Sequence, residues 1–220
     1  MAPSSAEYLL ECIWNLSWEF ELKFLLILSF VLSANAMAKD YIVLGISGFG
    51  TAREGKGQPS GVHDNLPIHG SNVRQYFKLV HKASTKELQE VIDQFDCRNG
   101  KQADPQLGFI LMVNSWGAPK GYKISEMYQK QCGRKIDIAY SIDGVTKPIG
   151  PFKKAPIAQQ CFSYYQSKGA IHGVALNGCT NVEYTDSCNR SSYGPIQCHI
   201  AVEWWGSERA KNELLRGALR

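Results

Sequence analysis

Three side chains suited to acyl transfer occur along the chain in the order serine, aspartate, histidine. Ser115 comes two residues after the end of a long apolar run, Asp143 follows the next strand-like run, and His199 comes shortly before a final helical segment. A serine hydroxyl needs a base to accept its proton, histidine can be that base near neutral pH, and a carboxylate fixes the imidazole tautomer and stabilises the imidazolium. The residue types therefore predict a nucleophile (Ser115), an orienting acid (Asp143) and a general base (His199).

Each of these residues also has a simpler structural interpretation. Ser115 can cap the helix that follows it, Asp143 with Gly144 is a common turn pair, and His199 can be a packed or surface histidine. We expect His172, which falls in an apolar strand-like pattern, to be a core residue. The remaining histidines occur in an early loop or near a helix start and suit the base less well: His63, His69 and His81.

The elements around these residues indicate one α/β domain. Residues 41–46 and 107–113 are apolar runs of strand length, and residues 136–142 are predicted as a further strand. Residues 85–96 have a helical pattern, and a second helix is expected over residues 121–131. The first helix begins with a capping-box sequence, serine followed three residues later by glutamate. Strand, helix and strand in this order imply a mostly parallel central sheet with helices packed on it.

The later part of the chain gives weaker signals. We expect strands at residues 170–176 and 181–185, a polar loop at 186–197 and a terminal helix from about residue 204 to 219. Residues 71–82 fit either a short helix or a strand. This arrangement puts His199 in a loop just before the last helix.

Ser115 lies between the most apolar predicted strand and a helix, where a nucleophile elbow exposes its serine. Gly117 supplies the small residue two positions after the serine, whereas Val113 stands where glycine is usual, and its β-branched side chain is expected to crowd the turn. We expect the backbone N–H of Trp116 to contribute to an oxyanion site. The glycine loop after the first strand supplies the other candidate oxyanion or substrate contacts: Ser47, Gly48 and Phe49.

The first 38 residues differ from the rest of the chain. Lys23 precedes a nine-residue run, apolar except for Ser29, and then an A-x-A sequence, the pattern of a secretory signal cleaved after Ala36 or Ala38. A leader over 1–38 and a single domain over 39–220 are therefore predicted, in a secreted or periplasmic protein. A membrane-anchored form, with the segment uncleaved, is the alternative.

Removal of this leader takes away one basic and four acidic residues and leaves 23 Lys and Arg against 16 Asp and Glu, a formal charge of +7. The basic residues are scattered, which argues against nucleic-acid binding. The positive net charge favours anionic surfaces, so transient contact with a membrane or envelope surface is the expected interaction.

Six cysteines remain after the leader, an even number that suits an oxidising compartment. No CxxC pair is present and Cys198-His199 alone lacks zinc-site spacing, so we predict disulfides, no metal site and no cofactor. Six cysteines allow 15 pairings, and spacing does not choose among them. The cysteines are Cys97, Cys132, Cys161, Cys179, Cys188 and Cys198.

Over roughly residues 41–215 the chain resembles small lidless α/β-hydrolases, the serine esterases and lipase-like enzymes. The likeness rests on the Ser-Trp-Gly-Ala sequence at Ser115, the Ile-Asp-Gly-Val sequence at Asp143, and Cys-His-Ile-Ala-Val at His199, in the chain order of that family. It implies a three-layer sandwich, an acyl-enzyme on Ser115, and small-molecule or lipid ester substrates.

The resemblance also implies one disulfide, from Cys97 to Cys132, because the two helices that these cysteines end lie on one face of such a fold. A bridge to Cys198 would fix the backbone beside His199. Since this fold also includes catalytically silent relatives, a binding protein of the cell envelope is the alternative function.

Overall fold

The computed structural model describes residues 39–48, 68, 72–79, 83–97, 103–147 and 149–217, all within the compact unit Lys39–Arg220. The predicted leader, the oxyanion candidate Phe49, and three of the histidines, at positions 63, 69 and 81, lie outside these residues.

Six strands form a parallel sheet at the centre of the domain, in the order β2-β1-β3-β4-β7-β8. Two very short strands, β5 and β6, pair antiparallel beside it. The predicted mostly parallel sheet is therefore confirmed. The strands are β1 (Asp40–Ser47), β2 (Val73–Leu79), β3 (Leu107–Asn114), β4 (Ile136–Ile142), β5 (Val145–Thr146), β6 (Gly150–Pro151), β7 (Ala158–Tyr165) and β8 (Thr180–Glu183).

Four α-helices accompany the strands in the described chain. The predicted capping box begins the first: Ser84 Oγ accepts from the Glu87 N–H, and the Glu87 carboxylate accepts from the Ser84 N–H. The second ends at Gly133, whose φ of 65° is the left-handed conformation that glycine adopts readily. The helices are α1 (Thr85–Ile92), α2 (Ala118–Cys132), α3 (Thr185–Arg190) and α4 (Pro195–Arg216).

Both faces of the sheet are covered, because alternate residues of its central strands are apolar in both directions. On one face, Leu44 and Leu111 pack with α1 and α2 in one core cluster. On the other face, Val43 and Met112 pack with α4 in a second cluster. Parallel strands also place their carboxyl ends at one edge, and this edge carries Ser115 after β3 and Asp143 after β4.

Three disulfides link elements outside the sheet centre. Cys97 is bonded to Cys132, the pairing that the resemblance implied. The other two bridges join Cys161 in β7 to Cys179, just before β8, and Cys188 in α3 to Cys198 in α4. Three such bonds indicate an oxidising environment. Among the described helices, none combines the length and apolar character needed to cross a membrane.

Several predictions for the later chain are wrong. Residues 170–176 have no regular secondary structure and are not a strand, and the Gly173 N–H donates to the Asp143 carboxylate instead of to a sheet neighbour. The unpredicted strand β7 precedes this segment. The polar loop at 186–197 contains α3. The last helix begins at Pro195, nine residues before its predicted start, since Gly194 and Pro195 form a good helix start.

Two histidine predictions change as a result. His199 belongs to α4 itself rather than to a loop before it. His172 is half-buried, with its Nδ1 2.7 Å from the Gly173 carbonyl oxygen, so it is not a core residue.

Candidate active site

Ser115 occupies a tight turn between β3 and α2. Its φ of 51° lies in the left-handed region, which is uncommon for a residue with a side chain and is a form of strain concentrated at functional sites. A single turn of 3₁₀-helix, Ser115–Gly117, then leads directly into α2. The serine is thereby presented beyond the carboxyl edge of the sheet and at the amino end of a fifteen-residue helix.

Close packing around the turn depends on two glycines. A Cβ on Gly117 would lie 2.2 Å from the Ile46 carbonyl oxygen, and a Cβ on Gly121 would lie 2.5 Å from Val113 Cγ1. Gly121 therefore provides the space that the fully buried Val113 side chain occupies. The expected crowding at Val113 is relieved by a glycine one helical turn into α2 rather than at position 113 itself.

Replacing Gly117 by alanine should lower the free energy of unfolding by about 2–3 kcal/mol, because the added methyl group overlaps a strand carbonyl. The matched control is Gly150→Ala, since a Cβ there meets no atom within 4 Å. Urea unfolding of the oxidised proteins measures both. Equal midpoints for the two variants would contradict the tight turn.

The structure brings the three predicted residues together in a hydrogen-bonded chain. Ser115 Oγ lies 2.9 Å from His199 Nε2, and His199 Nδ1 lies 2.5 Å from Asp143 Oδ2. Asp143 is fully buried, whereas Ser115 and His199 retain 7% and 8% of their exposure. A carboxylate at Nδ1 holds a proton on that nitrogen, so that the neutral ring presents the lone pair of Nε2 to the serine.

Asp143 is held by donors from a neighbouring segment. Asp143 Oδ1 accepts from the backbone N–H groups of Gln166 and Gly173, at 3.1 and 2.6 Å, and Oδ2 accepts from Gln166 Nε2 at 3.1 Å. Gln166 Nε2 also donates to the Ile171 carbonyl, which fixes the amide in place. These contacts orient the carboxylate toward His199 and satisfy the oxygen lone pairs that the imidazole does not use.

His199 lies in the second turn of α4, whose start is fixed covalently. Cys198, its neighbour, is bonded to Cys188 of α3, so the backbone beside the imidazole is tied to a second helix. A bridge at Cys198 was expected to fix the backbone beside His199, and the observed Cys188–Cys198 bond lies at that place.

A second carboxylate lies beside the imidazole. Glu203, one turn further along α4, places Oε1 3.2 Å from His199 Nε2. Burial alone would lower the pKa of His199, but contacts with Asp143 and Glu203 outweigh it and raise that pKa to about 10. Both carboxylates therefore favour the protonated form of the imidazole.

Of the candidate oxyanion residues that the structure describes, Gly48 lies beside the nucleophile and Ser47 is buried. A Cβ on Gly48 would lie 2.8 Å from Ser115 Oγ and 3.3 Å from the Trp116 nitrogen, so Gly48 borders the nucleophile and the predicted donor. The Gly48 N–H donates to Asn114 Oδ1 at 3.2 Å, and Ser47 is fully buried at the end of β1. The amino end of α2 adds a favourable dipole for negative charge near Ser115.

Three residues that contact the candidate site were not predicted from the sequence: Gln166, Glu203 and Asn114. Gln166 and Asn114 have no local signal, because each contacts a residue far away in sequence. Glu203 had one, since a glutamate four residues after a histidine shares its helix face. That signal was hidden because His199 was expected outside the helix.

In the part of the chain that the structure describes, no group of three or more His, Cys, Asp or Glu side chains is arranged to hold a metal ion. No protein-family model matches this chain, and no curated protein matches it in sequence. The chemistry of the site is therefore inferred from its own geometry.

Proposed function

We propose that this protein is a serine hydrolase that cleaves carboxylic esters through an acyl-enzyme on Ser115. The observation that carries the proposal is the hydrogen-bonded chain from Ser115 Oγ through His199 to Asp143, with the serine in a left-handed turn. Such a chain is the arrangement by which a hydroxyl becomes a nucleophile in water.

In the proposed acylation step, Ser115 Oγ bonds to the ester carbonyl carbon while its proton moves to His199 Nε2. The carbonyl oxygen becomes an oxyanion at the amino end of α2, close to the Trp116 nitrogen and Gly48. Collapse of this intermediate breaks the bond to the alcohol, which leaves with the proton from Nε2. In the deacylation step, water attacks the acyl carbonyl while its proton moves to His199 Nε2. The bond to Ser115 Oγ then breaks, the serine regains the proton, and the carboxylic acid is released.

The proposed substrates are small-molecule or lipid-derived esters, and the proposed location is outside the cytoplasm, after removal of residues 1–38. Three disulfides support an oxidising location. The binding-protein alternative drew on Val113 in the turn and on the formal charge of +7, and the space beside Gly121 removes the first of these arguments.

A fluorophosphonate probe should label the folded, oxidised protein at Ser115, because the activated Oγ attacks phosphorus and displaces fluoride. Peptide mass spectrometry after labelling, at pH values from neutral to about 10, locates the adduct. His199→Ala should label far more slowly, and the heat-unfolded protein should not label. Folded protein that stays unlabelled over the whole range would favour a catalytically silent binding protein.

A further inference from the structure

Glu203 is a buried carboxylate whose position the proposed reaction does not use. The residue is 1% exposed, and Oε1 has no hydrogen-bond partner among the described residues. The Ser207 hydroxyl, one turn further along α4, is also buried and makes no hydrogen bond within this part of the chain. Buried polar atoms of this kind are rare and call for a physical explanation.

The contact between Glu203 and His199 is an ion pair by distance and not a hydrogen bond by direction. Oε1 lies 3.2 Å from Nε2, but the hydrogen-bond direction of Nε2 points to Ser115 Oγ at 2.9 Å. Glu203 therefore stabilises positive charge on the ring without displacing the serine. A buried carboxylate needs a compensating charge, and among the described residues its ion-pair partner is His199.

The imidazole consequently lies between two carboxylates. Asp143, from the turn after β4, contacts Nδ1, and Glu203, from α4, lies beside Nε2. Titratable groups of the neighbouring elements have other partners: Tyr164 of β7 donates to Glu213 at 2.7 Å, Arg209 of α4 pairs with the same carboxylate, and His172 contacts the Gly173 carbonyl. Orientation and tautomer require only Asp143, so the second carboxylate has a separate effect.

We propose that Glu203 is a positioning residue that keeps His199 protonated in the resting site, so that Ser115 becomes a nucleophile only in alkaline solution. This inference rests on the proposed function. In the resting state Nε2–H donates to Ser115 Oγ. When hydroxide removes that proton, Nε2 becomes an acceptor and Ser115 Oγ–H donates to it.

The sign of the pH dependence follows from the direction of the His199 shift. An ordinary histidine has a pKa of about 6.5 and is mostly neutral at pH 7.5. With its pKa raised to about 10, His199 loses its proton only as the pH approaches that value. Hydrolysis and probe labelling should therefore rise with pH across the alkaline range instead of levelling off near neutrality.

Histidine NMR titration of wild type, Glu203→Gln and the surface control Glu208→Gln tests the inference without requiring catalysis. Spectra of His199→Ala assign the His199 signal among the five histidines. In Glu203→Gln the His199 midpoint should fall by about 1–3 pH units, since an opposite charge within about 4–6 Å has this effect. Glu208→Gln should match wild type.

The pH profile of kcat/KM gives the catalytic readout, because it reports groups in the free enzyme. Glu203→Gln should be faster than wild type at neutral pH, by about tenfold per unit of midpoint shift, and slower at the alkaline plateau, where its imidazolium is less stabilised in the transition state. Glu203→Asp, which keeps the charge, should retain an alkaline midpoint even if Glu203→Gln fails to fold.

Two failures can be told apart. A wild-type His199 midpoint near 6.5 that Glu203→Gln does not change overturns the role of Glu203, whatever the activity. A high midpoint that falls in Glu203→Gln, in a protein that neither labels nor hydrolyses esters at any pH, supports the ion pair and removes the hydrolase assignment. Parallel rather than crossing pH profiles would also overturn the role of Glu203.

Discussion

Ser115→Ala should reduce kcat/KM for an activated ester by about 10⁴–10⁶-fold, because it removes the oxygen on which the proposed acyl-enzyme forms. The assay is run near pH 10, where His199 is available as a base. Adding His199→Ala to Ser115→Ala should cost little more, since the two residues act as one unit.

Ser192→Ala is the matched control for this variant. Ser192 is also a serine with positive φ, 55° against 51° for Ser115, but it lies exposed between α3 and α4. Any general cost of changing a serine in a left-handed turn therefore appears in both variants. If Ser115→Ala keeps more than about a tenth of wild-type activity, Ser115 is not the nucleophile.

Asp143→Asn should lower kcat by about 10⁴-fold with a small change in KM, because it reverses the tautomer of His199. The asparagine oxygen would accept from the Gln166 and Gly173 N–H groups, which leaves its NH₂ facing Nδ1. Nδ1 must then be the acceptor, and in the neutral ring the proton moves to Nε2. Ser115 then has no base.

Kinetics of Asp143→Asn are compared with Asp137→Asn, a variant of the same type on β4. Asp137 pairs with Lys39 and accepts from the Phe109 N–H, away from the candidate site. We expect Asp137→Asn to lose stability but to keep its activity when folded. Similar rate losses in both variants would mean that Asp143 has only a structural role.

The parts of the fold that could be predicted from sequence are those with local signals. β3 is apolar up to its last residue, β4 is apolar at most positions, and the capping box of Ser84 and Glu87 marks the start of α1. Ser115 and Asp143 could be placed because each directly follows such a strand. Their meeting with His199 was a prediction from chain order and resemblance.

Other parts depend on contacts that local sequence does not record. β7 has two glutamines in its first half, which weakens its apolar pattern. The strand β4, with which it pairs, comes from a different segment of the chain. The apolar residues of 170–176 suggested a strand, yet the segment bends so that Gly173 can reach Asp143, thirty residues earlier. Gln166 and Glu203 gain their roles only once distant elements are packed together.

The placement of His199 on the last described helix determines when the proposed hydrolysis can begin. Ser115 is 84 residues earlier in the chain, so a ribosome finishes the nucleophile, its strand and its helix well before the base is made. A nascent or truncated chain that ends before α4 can build much of the sheet and still be inert. Turnover of an ester by the proposed hydrolase would therefore require that α4 has been synthesised and has docked on the sheet, and a protease that removed α4 would abolish this activity without cutting the sheet.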